Sequence, residues 1–509
     1  MMKDGFKNRS EFYGANLNCF TQKHISKDLL IDECKSYLNQ KYRLALISAQ
    51  DYASECYVSY LFLKSDPDSR VELIVKIDSS DRSVPSLGML SFPASRFERE
   101  INDVFGIVPL GHPFLRPLVR HANWPSDWHP MAHGSSKTPP LVSGQNEFPF
   151  VLVEGQGVFE IPVGPVHAGL IEPGHFRFSV VGESIVRMKS RLWYLHKGLE
   201  KMFEGKSIFE ALKLSEQISG DSAVAHSLAF VLAVEDCLNV NPNRDVAIER
   251  ARLLELERVY NHVNDIGAMC NDVGYSMANS YAQIIKEQLL SLNLKITGHR
   301  LLRGKVNYGQ ETPGCHFYAD TIDSVIQKFI DLTNLINDNS NILDRFVGTA
   351  ILSAEDAYSL GVLGIVAKAS SITYDARYDH PFASKTPGDK SIIEKTGDVF
   401  SRYNVRVREV FESLKFIKDP YGCNNANIQF DSKIYKNIVK SGFGIVEGWR
   451  GTVVTRVELD ENNLIKRYKI VDPSFLNWPA LSVALNETIV PDFPLVNKSF
   501  NLSYAGNDL

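Results

Sequence analysis

The sequence predicts an α+β fold, with a small N-terminal α/β domain followed by a large, mostly helical domain that carries small β-sheets. Three observations lead there. First, the chain has 509 residues, too many for one ordinary core, and its 44% hydrophobic and 23% charged residues are a globular composition. Second, three β-rich stretches near the N-terminus are followed by apolar residues at helical spacing. Third, the pattern beyond Arg191 is helical until β alternation returns near Gly444.

A mixed run from Ile25 to Gln40 predicts a helix, and Arg43–Ser48, Cys56–Leu63 and Val71–Ile77 predict strands. In PASRFEREINDVFGIVPL, apolar Phe97, Ile101, Val104 and Phe105 recur as on one helix face. The first domain is placed at 1–121. Residues 122–147, dense in Pro, Gly and Ser, form the linker, and 148–509 form the second domain. FPFVLVEGQGVFEIPVG and HFRFSVVGE read as paired strands joined by GPVHAGLIEPG. Helices are expected at Trp193–Phe203, Ser207–Gln217, Asp221–Leu238, Asp245–Cys270, Ser276–Leu302, Asp320–Phe346 and Phe400–Ile417. Strands follow over Gly444–Lys469, with a turn at Asp460–Asn463.

Several classes are excluded on composition. A formal net charge of −5 and the lack of a Lys/Arg-rich run argue against nucleic acid. No signal-peptide core and no long uninterrupted apolar stretch occurs, so a cytosolic, non-spanning chain is expected. The seven cysteines (Cys19, Cys34, Cys56, Cys237, Cys270, Cys315, Cys423) are scattered and never form a C-x-x-C pair, which predicts reduced, isolated thiols. Neither G-x-G-x-x-G nor G-x-x-x-x-G-K-[ST] is present, and there is no nucleophile motif.

FEREINDVFGIVPLGHPFLRPLV, Phe97–Val119, resembles the signature of the small peripheral complex I subunit that pairs with the quinone-site subunit. Glu98, Glu100 and Asp103 with Arg116 then suggest a charged docking face, a solvated helix being the competing reading. The second domain resembles the large subunit of membrane-bound energy-converting nickel-iron hydrogenases and the homologous complex I quinone-site subunit. The resemblance is carried by GPVHAGLIEPGHFRF (Gly164–Phe178), EQISGDSAVAHSLAFVLAVED (Glu216–Asp236), VEGWRGTVVTRVELD and KIVDPSFLNWPAL (Lys469–Leu481). Fused in this order, the two parts are similar to the corresponding subunit of formate hydrogenlyase type complexes.

The resemblance implies four thiolates holding nickel, a soft-donor set. Those positions read Ser219, Ser222, Ser474 and Asn477. Hydroxyls and an amide do not replace bridging thiolates, so no metal, no hydrogen chemistry and no cofactor bound by this chain are expected. In complex I the vacated cavity takes a quinone headgroup, gripped by a loop histidine and a tyrosine. His167 matches the histidine, while the tyrosine position falls on Gly220. Glu172 matches the carboxylate that starts the proton path in membrane-bound hydrogenases, and burial would tune it toward a relay. The competing readings are a loop-tying histidine and a turn-forming acid.

His175, Asp221, His226 and Asp472 are expected around the same cavity. Helix capping is the alternative for Asp221 and turn formation at Asp-Pro for Asp472. GHRLLRG, Gly298–Gly304, resembles the turn that faces the 4Fe-4S cluster of a neighbouring small subunit, which would place Arg300 and Arg303 beside it; capping by basic residues and Gly304 is the alternative. Glu257, Arg258 and His262 in RLLELERVYNH read as an intramolecular salt-bridge face.

The implied function is a subunit of a membrane-attached redox complex, with an iron-sulfur small subunit and proton-translocating membrane subunits as partners, peripheral on the cytoplasmic face of the inner (plasma) membrane. In one form it passes electrons from the partner's cluster to a quinone-like acceptor, with His167 and Glu172 as proton donors. In the other it is a non-catalytic scaffold or coupling subunit.

Overall fold

The structure is a computed structural model that describes residues 20–509, except 54, 79, 137, 139–141, 144–147, 170, 309–318, 388–389, 391 and 420–440. The first twenty residues, but for Phe20, lie outside the described ones, as do Cys315 and Cys423; Cys19 is among them. The other four cysteines are buried free thiols.

The α+β class holds. The first sheet has the order β1-β4-β3-β2: β1 (Phe20–Ile25) runs parallel to β4 (Ser69–Ile77), and the antiparallel meander of β2 (Arg43–Asp51), β3 (Cys56–Lys64) and β4 completes it. Helix α1 (Leu30–Asn39) follows β1. A short parallel pair, β5 (Ser83–Pro85) and β6 (Val108–Leu110), flanks helix α2 (Phe92–Phe105). Further along the chain, β7 (Val158–Val163), β8 (His175–Val181) and β9 (Ser184–Arg191) form an antiparallel sheet.

Helices α3 (Leu199–Phe203), α4 (Ile208–Ser215), α5 (Ala223–Cys237), α6 (Arg244–Asp272), α7 (Ser276–Thr297), α8 (Ala319–Asn337) and α9 (Ser340–Phe346) come next. Short helices α10 (Ala354–Leu360), α11 (Gly364–Ala369) and α12 (Ala376–Asp379) lead to α13 (Val399–Lys418). Strands β10 (Ser441–Gly448), β11 (Gly451–Leu459) and β12 (Ile465–Val471) form the last antiparallel sheet. The chain closes with α14 (Pro473–Ala484), α15 (Phe493–Phe500) and α16 (Tyr504–Asp508).

Several elements differ from expectation for local reasons. The helix expected from Trp193 shrinks to α3, because Trp193 (φ 67) and Gly198 (φ 68) are left-handed and the N–H groups of Lys197 and Gly198 donate to Leu509 O. The helix expected over Asp320–Phe346 breaks in two where Asn339 caps α9 by accepting from Asn341 N and Ile342 N. Helix α7 stops at Thr297 because Gly298 takes the αL position, so Gly298 and not Gly304 is the cap.

The charged docking face on α2 is not a face. Glu98 and Asp103 are buried and hold backbone: Glu98 accepts from Leu87 N and Ser86 Oγ, and Asp103 from the N–H groups of Leu118 and Val119. Glu100 pairs with Lys469 at 2.6 Å. These acids point inward because loop ends without secondary-structure partners need acceptors.

A continuous hydrophobic core runs through both parts of the chain. Phe97 of α2 stacks on Phe475 of α14 at 4.9 Å, and Arg456 of β11 pairs with Glu72 of β4 at 2.7 Å, both buried. The placement that matters most is that of α5 on β10. A Cβ on Gly442, Gly444 or Gly448 would lie 2.3 Å from Ala233 O, 1.8 Å from Ala229 O or 3.1 Å from Ala225 Cβ. Three glycines facing three alanines let helix and strand backbones touch. That seam sets the N-terminus of α5 beside the β10–β11 turn.

Candidate functional site

Four segments meet at that point: the turn before α5 (219–222), the β10–β11 turn (449–450), the β12–α14 junction (472–477) and the segment into α16 (501–506). The four residues that the resemblance sets at the ligand positions, Ser219, Ser222, Ser474 and Asn477, all lie here, and each is engaged with protein. Ser219 Oγ donates to Asp221 Oδ1 at 2.8 Å and lies 2.8 Å from Ser503 Oγ. Ser222 Oγ accepts from Trp449 Nε1 at 3.1 Å and from Arg450 Nη1 at 3.2 Å. Ser474 Oγ accepts from Ser503 N at 2.9 Å. Asn477 spends both ends of its amide on the backbone of Leu363, at 2.8 and 3.1 Å.

Arg450 is the residue that organises them. Its guanidinium grips Asp221 through Nη1–Oδ1 at 2.7 Å and Nη2–Oδ2 at 2.6 Å, while its Nε donates to Asn501 O at 2.5 Å. It stacks over Trp449 with its carbon 3.9 Å from the ring centroid. Partial burial pushes the Asp221 carboxyl up, but Arg450 outweighs it and holds the group down to about 2. Asp221 is therefore an ion-pair partner and not a helix cap: Ser222 holds the N-cap position of α5. Asp472 is the N-cap of α14, accepting from Ser474 N at 2.8 Å, and its other oxygen lies 3.0 Å from Nε2 of the fully buried His226.

Behind this layer lies Glu257 of α6, whose carboxyl accepts from Val224 N (2.7 Å) and Ala225 N (3.1 Å) at the start of α5. Burial pushes its pKa up to about 8, against the two N–H donors and with help from the Asp221 charge. A carboxyl there is mostly protonated at pH 7, which spares the site a buried negative charge beyond those of Asp221 and Asp472. Deeper still, Arg258 bonds Glu255 and Glu409, and Lys368 and Arg377 bridge Asp375 and Glu409. His262 donates Nε2–H to Glu409 at 2.8 Å and is held neutral, since burial pushes it down to about 4. The salt-bridge face expected on α6 is thus a desolvated network inside the core.

The loop residues stand apart. His167 Nε2 donates to Gly174 O at 2.7 Å and His175 Nδ1 to Gly164 O at 3.2 Å, so both tie the 164–175 loop to itself. Glu172, half-buried, accepts from Ala505 N at 3.0 Å. The next residue meets Asp472: a Cβ on Gly506 would come within 2.6 Å of the Asp472 carboxylate. Arg303 reaches the edge of the site, its Nη2 3.5 Å from Gly220 O. A Cβ at 220 would meet only that guanidinium, at 3.4 Å. Arg300 does not join it: it forms an exposed two-toothed pair with Glu287 on α7, at 2.8 and 2.6 Å.

Sequence reasoning misses Arg450, Trp449 and Ser503, and it reads Glu257 only as part of a salt-bridge face. A signal for Arg450 exists, since an acid at Asp221 between Ser219 and Ser222 requires a cation nearby, and W-R-G lies in a segment the resemblance already covers. Ser503 has no such signal. Among the described residues, no group of three or more His, Cys, Asp or Glu side chains is arranged to hold a metal ion. At the four ligand positions hydroxyls and an amide, all hydrogen-bonded, stand where a nickel-iron centre needs thiolates; this donor set does not fit that group.

Known proteins similar to this chain are subunits of hydrogenases and of complex I. Residues 24–137 match the family model of the respiratory-chain NADH dehydrogenase 30 Kd subunit, and residues 272–433 that of the 49 Kd subunit. The chain is 29% identical over 468 residues to hydrogenase-4 component G of Escherichia coli (strain K12), covering 89% of this chain and 81% of that protein. It is 26% identical to formate hydrogenlyase subunit 5 of the same organism, covering 92% and 82%. Identity to the C/D subunit of NADH-quinone oxidoreductase from Phocaeicola vulgatus is 27%, over 74% of this chain and 77% of that protein. The resemblance carried by the sequence motifs therefore extends over both parts of the chain: a 30 Kd-like N-terminal part fused to a large-subunit-like remainder.

Proposed function

We propose that this chain is a peripheral subunit of a membrane-attached redox complex and works there without a nickel-iron centre. The observation that carries this reading is the Arg450–Asp221 pair, which bonds the hydroxyls of Ser219 and Ser222, while Ser474 and Asn477 are satisfied by backbone. The 1–121 part, the 122–147 linker and the 148–509 part then act as one docking body for an iron-sulfur small subunit and proton-translocating membrane subunits, on the cytoplasmic face of the inner (plasma) membrane. No helix among the described residues is long and apolar enough to cross a membrane, in keeping with attachment through partners.

The geometry supports the coupling form of this function best: electrons arrive at a partner's 4Fe-4S cluster, and this chain transmits the event through its buried charges. His167 and Glu172 are both committed to holding loop backbone, and Gly220 leaves the tyrosine position empty of side chain. A second reading keeps quinone-like reduction in this chain, with His167 and Glu172 delivering the protons. It is favoured by the similarity to NADH-quinone oxidoreductase subunits and by the half-exposed His167, whose Nδ1 is left for a ligand once Nε2 has donated to Gly174.

The test is cluster reoxidation in the intact complex, with metal analysis alongside. After the cluster is reduced, a quinone is added to wild type and His167→Ala. Reoxidation abolished by His167→Ala assigns the quinone reading. Reoxidation equal in both, or none in either, supports the coupling form. Nickel and iron near one equivalent each in the purified chain would overturn both.

A further inference from the structure

A cleft of about 620 Å³ lies at the seam of the two parts of the chain, between α2, the loop after β6, β9 and the end of α14. It is separate from the site above and independent of the function proposed for it. Its wall carries Arg96, Arg99, Arg116, Arg187, Lys189 and Arg191, and no described residue lining it is an acid. Among the described residues only Lys189 has a carboxylate partner, Glu160 at 2.7 Å. The five arginines make no ion pair among the described residues.

Four of them are held in place by neutral groups. Arg99 donates to Arg116 O and Pro117 O at 2.8 and 3.0 Å, Arg116 to Pro149 O at 2.6 Å, and Arg191 to Leu118 O and to Arg120 O. Arg96 lies over Phe475, 4.7 Å from the ring centroid; it is 8% exposed, and its Nε has no hydrogen-bond partner. The nearest acids are spent elsewhere: Glu100 on Lys469, Asp103 on the N–H groups of 118 and 119, and Asp508 on Leu195 N. A buried cation without a counter-charge is costly, and several facing one space cost more. Burial and the neighbouring Arg99 charge accordingly push Arg96 down to about 9, and burial pushes Arg191 down to about 10.

We infer that this cleft is a binding site for a phosphate-bearing ligand, whose oxyanion is gripped by Arg96, Arg99 and Arg116 with Arg187 at the rim. A phosphate fits better than a lone carboxylate because it offers two charges and several acceptor oxygens to guanidiniums arriving from different segments. The volume is in the range of small-ligand sites. The same chemistry is presented by a free phosphate ester and by an anionic phospholipid headgroup.

Binding is measured on the full chain at fixed ionic strength, with inorganic pyrophosphate as one probe and phosphatidylcholine vesicles with and without phosphatidic acid as the other. Wild type and Arg116→Gln/Arg187→Gln are compared, with Lys295→Gln on the exposed side of α7 as the charge control. The double variant, confirmed as folded by circular dichroism, is expected to bind at least tenfold more weakly while Lys295→Gln is unchanged; should it not fold, Arg187→Gln alone at the exposed rim serves in its place. Pyrophosphate binding of this pattern assigns a free phosphate ligand, and vesicle binding of this pattern assigns a lipid headgroup. No binding of either probe, or binding that these substitutions leave intact, overturns the site.

Discussion

Arg450 holds both carboxylate oxygens of Asp221, at 2.7 and 2.6 Å, and the pair lies between the hydroxyls of Ser219 and Ser222, which bond to it. Breaking it from the arginine side leaves a carboxylate facing hydroxyls and an indole. Arg450→Met should lower the free energy of unfolding by about 2 kcal/mol, below the cost of a fully buried pair because the Asp221 side chain is 41% exposed. Asp221→Asn/Arg450→Met should cost less than the sum of its two single changes. Urea unfolding of all four proteins measures this, and additive effects would mean that the pair contributes nothing of its own.

Glu257 makes stability depend on pH in a defined direction. Its folded pKa, about 8, lies above the unfolded value near 4.5, so the folded protein holds a proton that the unfolded chain has lost across this window. Stability should therefore be full below pH 4.5 as far as this group is concerned, fall as pH rises toward 8, and level off above. The total loss is on the order of 5 kcal/mol. Glu257→Gln keeps an acceptor for Val224 N and Ala225 N, and should flatten this limb in a series of unfolding curves between about pH 6 and 9.

Gly444→Ala tests the frame itself. An added Cβ would lie 1.8 Å from Ala229 O, a backbone atom in the middle of α5 that cannot step aside. Overpacking of this kind costs about 3 kcal/mol or more, and both α5 and the β10–β11 turn must shift. Thermal unfolding should show a drop of several degrees, and tryptophan emission should change because Trp449 lies at the end of that strand.

Much of the architecture is legible because it is written in periodicity. The meander of β2 to β4, the long helices α6, α7 and α13 and the returning sheet from β10 follow apolar spacing that needs no tertiary knowledge. What escapes depends on contacts distant in sequence. Strand β1 is recognisable only through β4, its partner far along the chain. Helix α14 stays hidden because Asp472-Pro473 reads equally as a turn, and only the two partners of Asp472, Ser474 N and His226, make it a cap.

At the site, the motifs single out Ser219, Ser222, Ser474 and Asn477, which the structure gathers in one place, but not the partners that engage them. Asp221 reads as a capping or cavity acid because its cation stands 229 residues away. The acids of α2 mislead in the opposite way: Glu98 and Asp103 look like a solvated stripe, and only the loops that return to them turn that stripe inward. Their burial is a tertiary fact with no local trace.

The glycine seam between α5 and β10 has an evolutionary consequence. Because helix and strand meet through backbone, the placement of positions 219 and 222 at the start of α5 follows from main-chain packing and not from whatever their side chains bind. Such a frame can exchange thiolates for hydroxyls without collapsing, so chemistry is replaceable while geometry persists. It is a scaffold on which a catalytic centre can be lost in a few substitutions and the surrounding machine kept.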